Sequence, residues 1–202
     1  IYRRLDDTFL DPKVFNKESL IGVPGLFKCW KKGNVGIINA LGTGVADDKA
    51  VYSYVNKMIV YYLGEQPKLN QVETFLCENK VHRQHVIENI AKLVVKPANA
   101  SGGYGIMIGP KAPKKERDEM VKKIKKNPRD FVAQPLEILS TIPTICENGI
   151  EPRHLDLRPF ILTGKTSYVT TGGLTRVALR KGSTIVNSSQ GGGSKDTMVV
   201  DA

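Results

Sequence analysis

"VVKPANASGGYGIMIGP", residues 94–110, places a lysine and a proline at the end of an apolar run, followed by three glycines within residues 102–105. The apolar runs on either side predict a β-hairpin with a glycine-rich turn. Glycines in such a turn let backbone N–H groups approach phosphate oxygens, and Lys96 would add a positive charge. The stretch contains neither GxxxxGK[ST] nor a GxGxxG that opens a helix, which excludes two familiar phosphate loops. By itself the pattern is more typical of a hairpin turn that needs positive φ.

The segment before this hairpin, NVGIINALGTGVADDKA, predicts a strand, a glycine turn and a helix. The strand is expected over residues 35–39 and the helix from Lys49 to about Leu63. Asp47 has a side chain suited to the N-cap, and Asp48 would lie in the first turn, where the helix dipole favours a carboxylate.

The remaining segments predict a mixed α+β fold with mostly antiparallel hairpins in the second half, and they do not form a regular βαβ array. Strands are expected over residues 72–77, 93–97, 104–109 and 130–137, helices over residues 82–92 and 113–128, and a β-rich tail that contains residues 154–164, 166–180 and 183–189.

Composition limits the class of protein. The chain has 202 residues, 41% hydrophobic and 25% charged, which is ordinary for a globular domain. No apolar run is long enough for a membrane span, so no membrane partner is expected. Cys29, Cys77 and Cys146 are scattered, which argues against a disulfide framework and structural zinc and suits a reducing cytoplasm.

The net charge of +10 comes mostly from residues 111–129, which carry nine Lys/Arg and three Asp/Glu. This segment predicts a surface helix whose apolar stripe is Met120, Val121 and Ile124. It could attract nucleic acid or another polyanion. A solvated helix face is favoured, and nucleic acid is not expected as a partner, because no aromatic residues for base stacking are interleaved.

Several polar residues lie at or near the ends of predicted strands. Gln134 and Glu137, in AQPLE, could contact an adenine edge and ribose hydroxyls. Asp156 and Arg158 alternate in LDLR and therefore share one face of a strand. Arg176 lies on a later strand, before the glycine-rich IVNSSQGGG. Glycine beside so many strands weakens packing and suggests the close approach of a ligand.

The order of these motifs resembles the ATP-grasp ligases, and specifically the circularly permuted ATP-grasp family, some of whose members are labelled glutathionylspermidine synthase-like or peptide ligase-like. The resemblance covers the chain from end to end. It implies an α+β fold of mostly antiparallel sheets with helices, in which ATP lies between two α+β subdomains. The matching stretches are RRLDDTFLDP, GVPGL, NALGTGVADDKAVY, LVVKP with SGGYG, AQP, RHLDLRPF, GGLTRVALR and VNSSQGGGSKD.

The resemblance also implies roles for individual residues. Two lysines would grip the ATP phosphates, a glycine hairpin would cover them, and a hinge strand would contact adenine and ribose. Two arginines, an aspartate and an asparagine are expected near the γ-phosphate and the acyl-phosphate. In that order these residues are Lys49 and Lys96; Ser101, Gly102, Gly103 and Gly105; Gln134 and Glu137; and Arg158, Arg176, Asp156 and Asn187.

The permutation moves the metal side of the site to the start of this chain. The resemblance implies that Asp6 or Asp7, together with Asn39, holds Mg²⁺ that bridges the phosphates. Ile37 occupies the position of a glutamate ligand, and an apolar side chain cannot bind a hard cation. A third carboxylate must then come from elsewhere, with Asp47 as a candidate, or one metal is lost.

Structural alternatives for some of these residues stay open. Asp6, Asp7 and Asp11 could instead form turn hydrogen bonds near Pro12. His154, beside Asp156 in the sequence, is more typical of a strand residue with a satisfied hydrogen bond than of a catalytic base.

The resemblance implies an enzyme, an ATP-dependent carboxylate–amine ligase that forms an amide through an acyl-phosphate, with ATP and Mg²⁺ as cofactors and a small-molecule or peptide carboxylate and an amine as substrates. Two alternatives are an ATP-binding module without turnover, which Ile37 makes conceivable, and a polyanion-binding protein that uses residues 111–129.

The expected organisation is most of a permuted ATP-grasp domain. Residues 1–48 would form the metal side, residues 49–137 the subdomain of the lysines, glycine loop and hinge, and residues 138–202 a β-rich subdomain. Family members are longer, so we expect a fragment whose missing part precedes Ile1, completes the sheet and contributes to the acceptor pocket. Such a fragment could be inactive by itself.

Overall fold

The structure, a computed structural model, describes residues 1–99, 103–187 and 191–200. Two compact units are present, and they divide between Pro135 and Leu136, inside the predicted hinge strand. Unit 1 contains residues 1–100 and 106–135, and unit 2 contains residues 101–105 and 136–202. The finer division of the chain into three parts stays a prediction.

Unit 1 contains the helices of the described chain. In three of them the preceding side chain satisfies the first N–H groups; for example, the Asp6 carboxylate accepts from Thr8 N, and the Asn79 side chain accepts from the N–H groups of Val81 and His82. The helices are α1 (Asp7–Leu10), α2 (Leu26–Lys31), α3 (Lys49–Tyr52), α4 (Val55–Leu63), α5 (Lys80–Asn89) and α6 (Lys114–Lys126), with 3₁₀ turns at Thr43–Asp47 and Pro128–Asp130.

The sheet of unit 1 has the strand order β1-β4-β2-β3, and every neighbouring pair is antiparallel. Its strands are β1 (Phe75–Leu76), β2 (Leu93–Pro97), β3 (Met107–Ile108) and β4 (Phe131–Pro135). One face packs on α5 and α6 to form the core, which contains Val95, Met107 and Ala133 from the strands and Val86 and Ile124 from the helices. The strand β2 and the basic surface helix α6 confirm the predictions made for them, whereas polyanion binding by α6 stays a prediction.

Gly109, the last glycine of the opening stretch, is needed for packing. A Cβ at this position would lie 1.9 Å from the carbonyl oxygen of Ile90 and 2.6 Å from that of Leu93. Both atoms belong to the backbone and cannot rotate away. The hairpin therefore closes against the chain between α5 and β2 only because residue 109 has no side chain.

Three local predictions for residues 35–63 are corrected. The helix expected from Lys49 to Leu63 is broken after Tyr52, because Ser53 N and Tyr54 N bond to the carbonyls three residues before them and the Ser53 hydroxyl bonds to Ala50 O at 2.7 Å. Asp48 is the N-cap, since its extended backbone lets the side chain accept from Ala50 N and Val51 N, whereas Asp47 ends a 3₁₀ turn. Residues 35–39 form no strand beyond a parallel bridge between Tyr2 and Ile38, because Asn39 turns the chain at φ 61°.

Unit 2 is built on an antiparallel meander with the order β5-β6-β7-β8. The strands are β5 (Thr141–Cys146), β6 (Gly149–Thr163), β7 (Ser167–Ala178) and β8 (Gly192–Met198). The strand expected at residues 183–189 is absent from its described part, 183–187, and the glycine-rich segment after it forms β8 instead. Only glycine fits at position 192, because a Cβ there would lie 2.2 Å from Val186 O and clash with it.

Candidate functional site

Lys49 and Lys96 lie close together in unit 1, although the sequence separates them widely. Lys49 begins α3, and its backbone N–H donates to Ala98 O at 2.9 Å, just after the end of β2, which carries Lys96. Burial lowers the pKa of Lys96, and the neighbouring Lys49 ammonium lowers it further. Burial also lowers the pKa of Lys49, against the opposing effect of Asp48 and Asp47. Two partly buried ammonium groups that repel one another form a place suited to an anion.

Gln134 contacts Lys96 directly. The Lys96 ammonium donates to Gln134 Oε1 at 2.6 Å, and Gln134 Nε2 donates to Thr74 Oγ1 at 2.8 Å. Gln134 is buried in β4, whereas Glu137 is exposed and belongs to unit 2. The roles predicted for these two residues towards adenine and ribose stay predictions.

The glycine hairpin is described only in part. Ser101 and Gly102, which were predicted to contact phosphate, lie outside the described residues. Gly103 and Gly105 have φ of 82° and 72°, a region that side-chain-bearing residues rarely adopt. The positive φ expected of this turn is therefore observed at both glycines, while their contact with phosphate stays a prediction.

Unit 2 brings together the two arginines, the aspartate and the asparagine predicted for phosphoryl transfer. Asp156 on β6 lies directly opposite Arg176 on β7, and Arg176 Nε donates to Asp156 Oδ1 at 2.8 Å. Arg176 Nη1 donates to Asn187 Oδ1, and Arg158 Nε lies 3.5 Å from Asp156 Oδ2. The hydrogen bond from Arg176 is the main cause that lowers the pKa of Asp156. Arg158 is half-exposed, so its guanidinium is accessible to an anion.

The residues predicted to bind a metal ion, Asp6, Asp7 and Asn39, line one pocket of about 380 Å³ in unit 1. Asp47 lines the same pocket. Asp6 uses one carboxylate oxygen to cap α1, through Thr8 N at 2.9 Å. Asp7 Oδ2 accepts from Gly42 N at 3.0 Å, and the Asn39 side-chain nitrogen donates to Arg3 O at 2.9 Å. Across the described residues, no three His, Cys, Asp or Glu side chains are arranged to hold a metal ion. Mg²⁺ usually keeps waters and takes one or two carboxylates plus substrate phosphates, so the donors present fit part of a shell and not a closed protein site.

Arg3 is a residue of this pocket that the sequence analysis missed. It is 8% exposed, and its Nη1 lies 2.6 Å from Asp7 Oδ1. The guanidinium also donates to the carbonyls of Leu5, Asn39 and Ala40 and to the Thr43 hydroxyl, at 2.7–3.1 Å. No local sequence signal indicated this ion pair, because Arg3 lies outside any helix and the i, i+4 rule for neighbouring side chains does not apply.

Two of the structural alternatives are confirmed. Asp11 is fully buried, and its carboxylate accepts from the N–H groups of Lys13, Gly25 and Phe27. Desolvation raises the pKa of Asp11, but these donors outweigh that effect and leave the pKa below its ordinary value. His154 lies in β6 with its Nδ1 2.8 Å from Leu139 O, as expected for a strand residue with a satisfied hydrogen bond.

Comparison with known proteins supplies the family. A family model described as circularly permuted ATP-grasp type 2 matches residues 1–178. The chain belongs to the circularly permuted ATP-grasp family. The α+β architecture with antiparallel sheets agrees with this membership, and the resemblance carried by the motifs is confirmed.

Relatives of this permuted ATP-grasp chain occur in Synechocystis, Mycobacterium and Frankia. A Synechocystis protein, "Uncharacterized protein sll0335", is 55% identical over 201 residues, which is 99% of this chain and 42% of the relative. The Mycobacterium tuberculosis protein "Uncharacterized protein Rv2411c" is 52% identical over 201 residues, which is 99% of this chain and 36% of the relative. The Frankia casuarinae protein named "Putative glutamate--cysteine ligase 2-2" is 45% identical over 199 residues, which is 98% of this chain and 23% of the relative.

The chain spans less than half the length of each of these three relatives. The ligase name belongs to the whole Frankia protein, of which the match occupies 23%. Within the described part of the permuted ATP-grasp chain, no helix combines the length and hydropathy needed to cross a bilayer.

Proposed function

We propose that the protein is an ATP-dependent ligase that joins a carboxylate to an amine. The observation that carries the proposal is the pair of partly buried ammonium groups, Lys49 and Lys96, whose pKa values are both lowered by burial. Repulsion between two ammonium groups in a poorly solvated place disfavours the charged forms, and an anion with several negative charges reverses that effect. ATP phosphates supply such charge, and membership of an ATP-grasp family makes ATP the natural ligand.

The proposed reaction has two steps. A substrate carboxylate oxygen attacks the γ-phosphorus of ATP, the bond to the bridging oxygen breaks, and ADP leaves with an acyl-phosphate remaining. The nitrogen of an amine then attacks the acyl carbon, phosphate leaves, and the amine loses a proton as the amide forms. The chemistry requires charge neutralisation and positioning more than covalent participation by the protein.

Each charged group has a proposed part in this scheme. Lys49 and Lys96 hold the ATP phosphates, and Arg158 and Arg176 neutralise the transferred phosphoryl group. Asp156 and Asn187 hold Arg176 by hydrogen bonds and fix the plane of its guanidinium.

Mg²⁺ bound by Asp6 and Asn39 would neutralise phosphate charge. Asp7, although predicted as a ligand, already has one oxygen against Arg3 and the other against Gly42 N. We propose that Asp47 and the glycine hairpin complete the surroundings of the phosphates, with the hairpin excluding water that would hydrolyse the acyl-phosphate.

The lysine assignment is tested by calorimetry of ATP binding, with Mg²⁺, to the intact Lys96→Met protein. Loss of a charged hydrogen-bond donor to phosphate should weaken ATP binding by about 10- to 100-fold. Lys92→Met is the matched control, because Lys92 is an exposed lysine just before the same strand. Unchanged ATP affinity in a folded Lys96→Met protein would show that Lys96 does not hold phosphate.

ATP binding without ligase turnover is the second candidate, and one observation favours it. Ile37 is buried at the expected glutamate position, and the described residues supply no three-carboxylate group. Mg²⁺-dependent phosphate release on addition of acid and amine pairs separates the two candidates. Glutamate and cysteine are the first pair to test, because the name of the Frankia relative contains them. Binding of ATP without phosphate release for any pair would favour the module.

A further inference from the structure

The amide of Gln134 is engaged at both ends within unit 1. Its Oε1 lies 2.6 Å from Lys96 Nζ, and its Nε2 lies 2.8 Å from Thr74 Oγ1. The Thr74 hydroxyl in turn lies 3.0 Å from Val72 O. Gln134 is 8% exposed, so these contacts form where water has little access. Lys96, Gln134 and Thr74 thus form a continuous hydrogen-bonded series, which we call the lysine relay.

The chemistry of the groups fixes the direction of every bond in the lysine relay. An ammonium only donates, so the oxygen of the Gln134 amide must face Lys96. The amide nitrogen must therefore face Thr74 and donate to its hydroxyl oxygen. The Thr74 proton is then directed to Val72 O, which can only accept. With its proton directed to Val72 O, the Thr74 hydroxyl can only accept from the amide, so Thr74 favours the orientation in which the amide oxygen faces the Lys96 ammonium.

Strand register explains why these residues meet. Gln134 on β4 pairs with Val94 on β2, and Lys96 is two residues beyond Val94 on the same face. On the other side of β4, Phe75 pairs with Ala133, which places Thr74 beside Gln134. The relay therefore crosses the sheet from β2 through β4 to the residue before β1, on the face opposite the Val95 and Ala133 core.

The segment that carries Thr74 is also tied to the helix of Lys49. The Tyr52 hydroxyl accepts from Val72 N at 3.1 Å, and Tyr52 is the last residue of α3, which Lys49 begins. The backbone of Lys49 in turn bonds to Ala98 O beyond β2. Hydrogen bonds and the backbone between them therefore connect Lys49 and Lys96 in one network. Thr74 lies in this network where the segment after α4 joins the sheet.

We propose that Thr74 is a positioning residue that acts through Gln134 to hold the Lys96 ammonium where it meets the phosphates of the nucleotide. The proposal rests on the phosphate-binding role given to Lys96 under the proposed function. It assigns the buried amide of Gln134 primarily to the lysine. Loss of the Thr74 hydroxyl should release the amide, weaken its bond to the ammonium and destabilise the charged form of Lys96.

The test compares Thr74→Val, which removes the hydroxyl, with Thr74→Ser, which keeps it. Thr144→Val is the matched control, because Thr144 is a buried threonine of unit 2 whose hydroxyl also donates to the carbonyl two residues before it, Ile142 O at 3.2 Å. The first readout is the pKa of Lys96 without nucleotide, from the rate of acetylation by acetic anhydride across a pH series, quantified on the Lys96 peptide by mass spectrometry. The second is the ATP dissociation constant from calorimetry.

Thr74→Val should lower the pKa of Lys96 by about 0.5–1 unit and weaken ATP binding about two- to tenfold, as expected for loss of one supporting hydrogen bond. Thr74→Ser should keep the pKa of Lys96 and the ATP dissociation constant close to those of the wild type. Thr144→Val should also leave both quantities unchanged. A wild-type pKa of Lys96 in folded Thr74→Val would overturn the proposal. If Thr74→Val does not fold, Thr74→Ala gives the same comparison without the added methyl groups. If the wild type binds no ATP, the proposed function fails, while the pKa readout still decides the role of Thr74.

Discussion

Replacement of Arg3 by methionine should strongly destabilise unit 1 and disorganise the pocket that contains Asp6, Asp7 and Asn39. Arg3 is buried, and its guanidinium donates four hydrogen bonds and forms an ion pair with Asp7. The four acceptors are the carbonyls of Leu5, Asn39 and Ala40 and the hydroxyl of Thr43, and Nη1 lies 2.6 Å from Asp7 Oδ1 in the ion pair. Methionine approximates the length of the aliphatic stem and removes every donor.

The expected loss in the free energy of unfolding follows from the ion pair with Asp7 and from the carbonyls that Arg3 binds. Removing one partner of a buried ion pair costs about 3–5 kcal/mol, and the 26% exposure of the Asp7 side chain places this pair near the lower end. The carbonyls of Leu5, Asn39 and Ala40 lose charged donors, although water can reach part of this turn. We therefore expect Arg3→Met to lower the free energy of unfolding by about 3–4 kcal/mol. Arg3→Lys should recover about 1 kcal/mol by keeping a charge beside Asp7 without the planar fork.

The assay is urea unfolding of the intact protein, followed by tryptophan fluorescence. Trp30 is the single tryptophan of the chain, and it packs against Phe27 in unit 1 with 5.7 Å between ring centroids. Arg4→Met is the matched control, since Arg4 is the exposed neighbour and should change stability by less than about 0.5 kcal/mol. A loss of 1 kcal/mol or less in Arg3→Met, as for an exposed ion pair, would refute the reasoning.

Two further changes test packing and charge. Gly109→Ala should lower the free energy of chemical unfolding by about 3 kcal/mol or more, because its Cβ would overlap Ile90 O. Gly164→Ala should be nearly neutral, because the atom nearest to its Cβ would lie 3.9 Å away. Asp156→Asn should destabilise unit 2 at pH 7. Because Arg176 holds the folded pKa of Asp156 below 3.8, the difference from wild type should persist above that pH and shrink as the pH falls through the folded pKa. Thermal unfolding by circular dichroism from pH 2 to 7 checks this, and a difference independent of pH would contradict it.

Local sequence signals predicted the elements that local interactions determine. The apolar run of β2 was sufficient because Leu93, Val94 and Val95 are buried on both faces of the strand, and the stripe of α6 because burial on one helix face dictates its pattern. The end of α4 at Gly64 was also predictable, since that glycine takes the left-handed conformation at φ 66°. The alternation in LDLR correctly placed Asp156 and Arg158 on one strand face, and register then brought Arg176 opposite Asp156.

One error arose where a tertiary contact overrides local preference, and another where a side chain competes locally with a continuous helix. β8 begins with two glycines and has a polar composition typical of a loop, yet it forms a strand because β7 provides a complete ladder of partners from Gly172 to Ala178. The break after α3 depends on Ser53, whose hydroxyl bonds back to Ala50 O and competes with a continuous helix. Neither feature has a distinctive local signature.

The lysine relay shows why the surroundings of a site are harder to predict than its charged residues. A lysine after an apolar strand is visible in the sequence, but Gln134 lies 38 residues after Lys96, and Thr74 lies 60 residues before Gln134. Their meeting depends on the pairing of β4 with both β1 and β2, which no short motif specifies. Once that register is known, the polarity of an ammonium, an amide and a hydroxyl leaves one arrangement for all three. The same logic makes Thr74→Ser a stringent comparison, because it keeps the hydrogen-bonding polarity of Thr74 and changes only a methyl group.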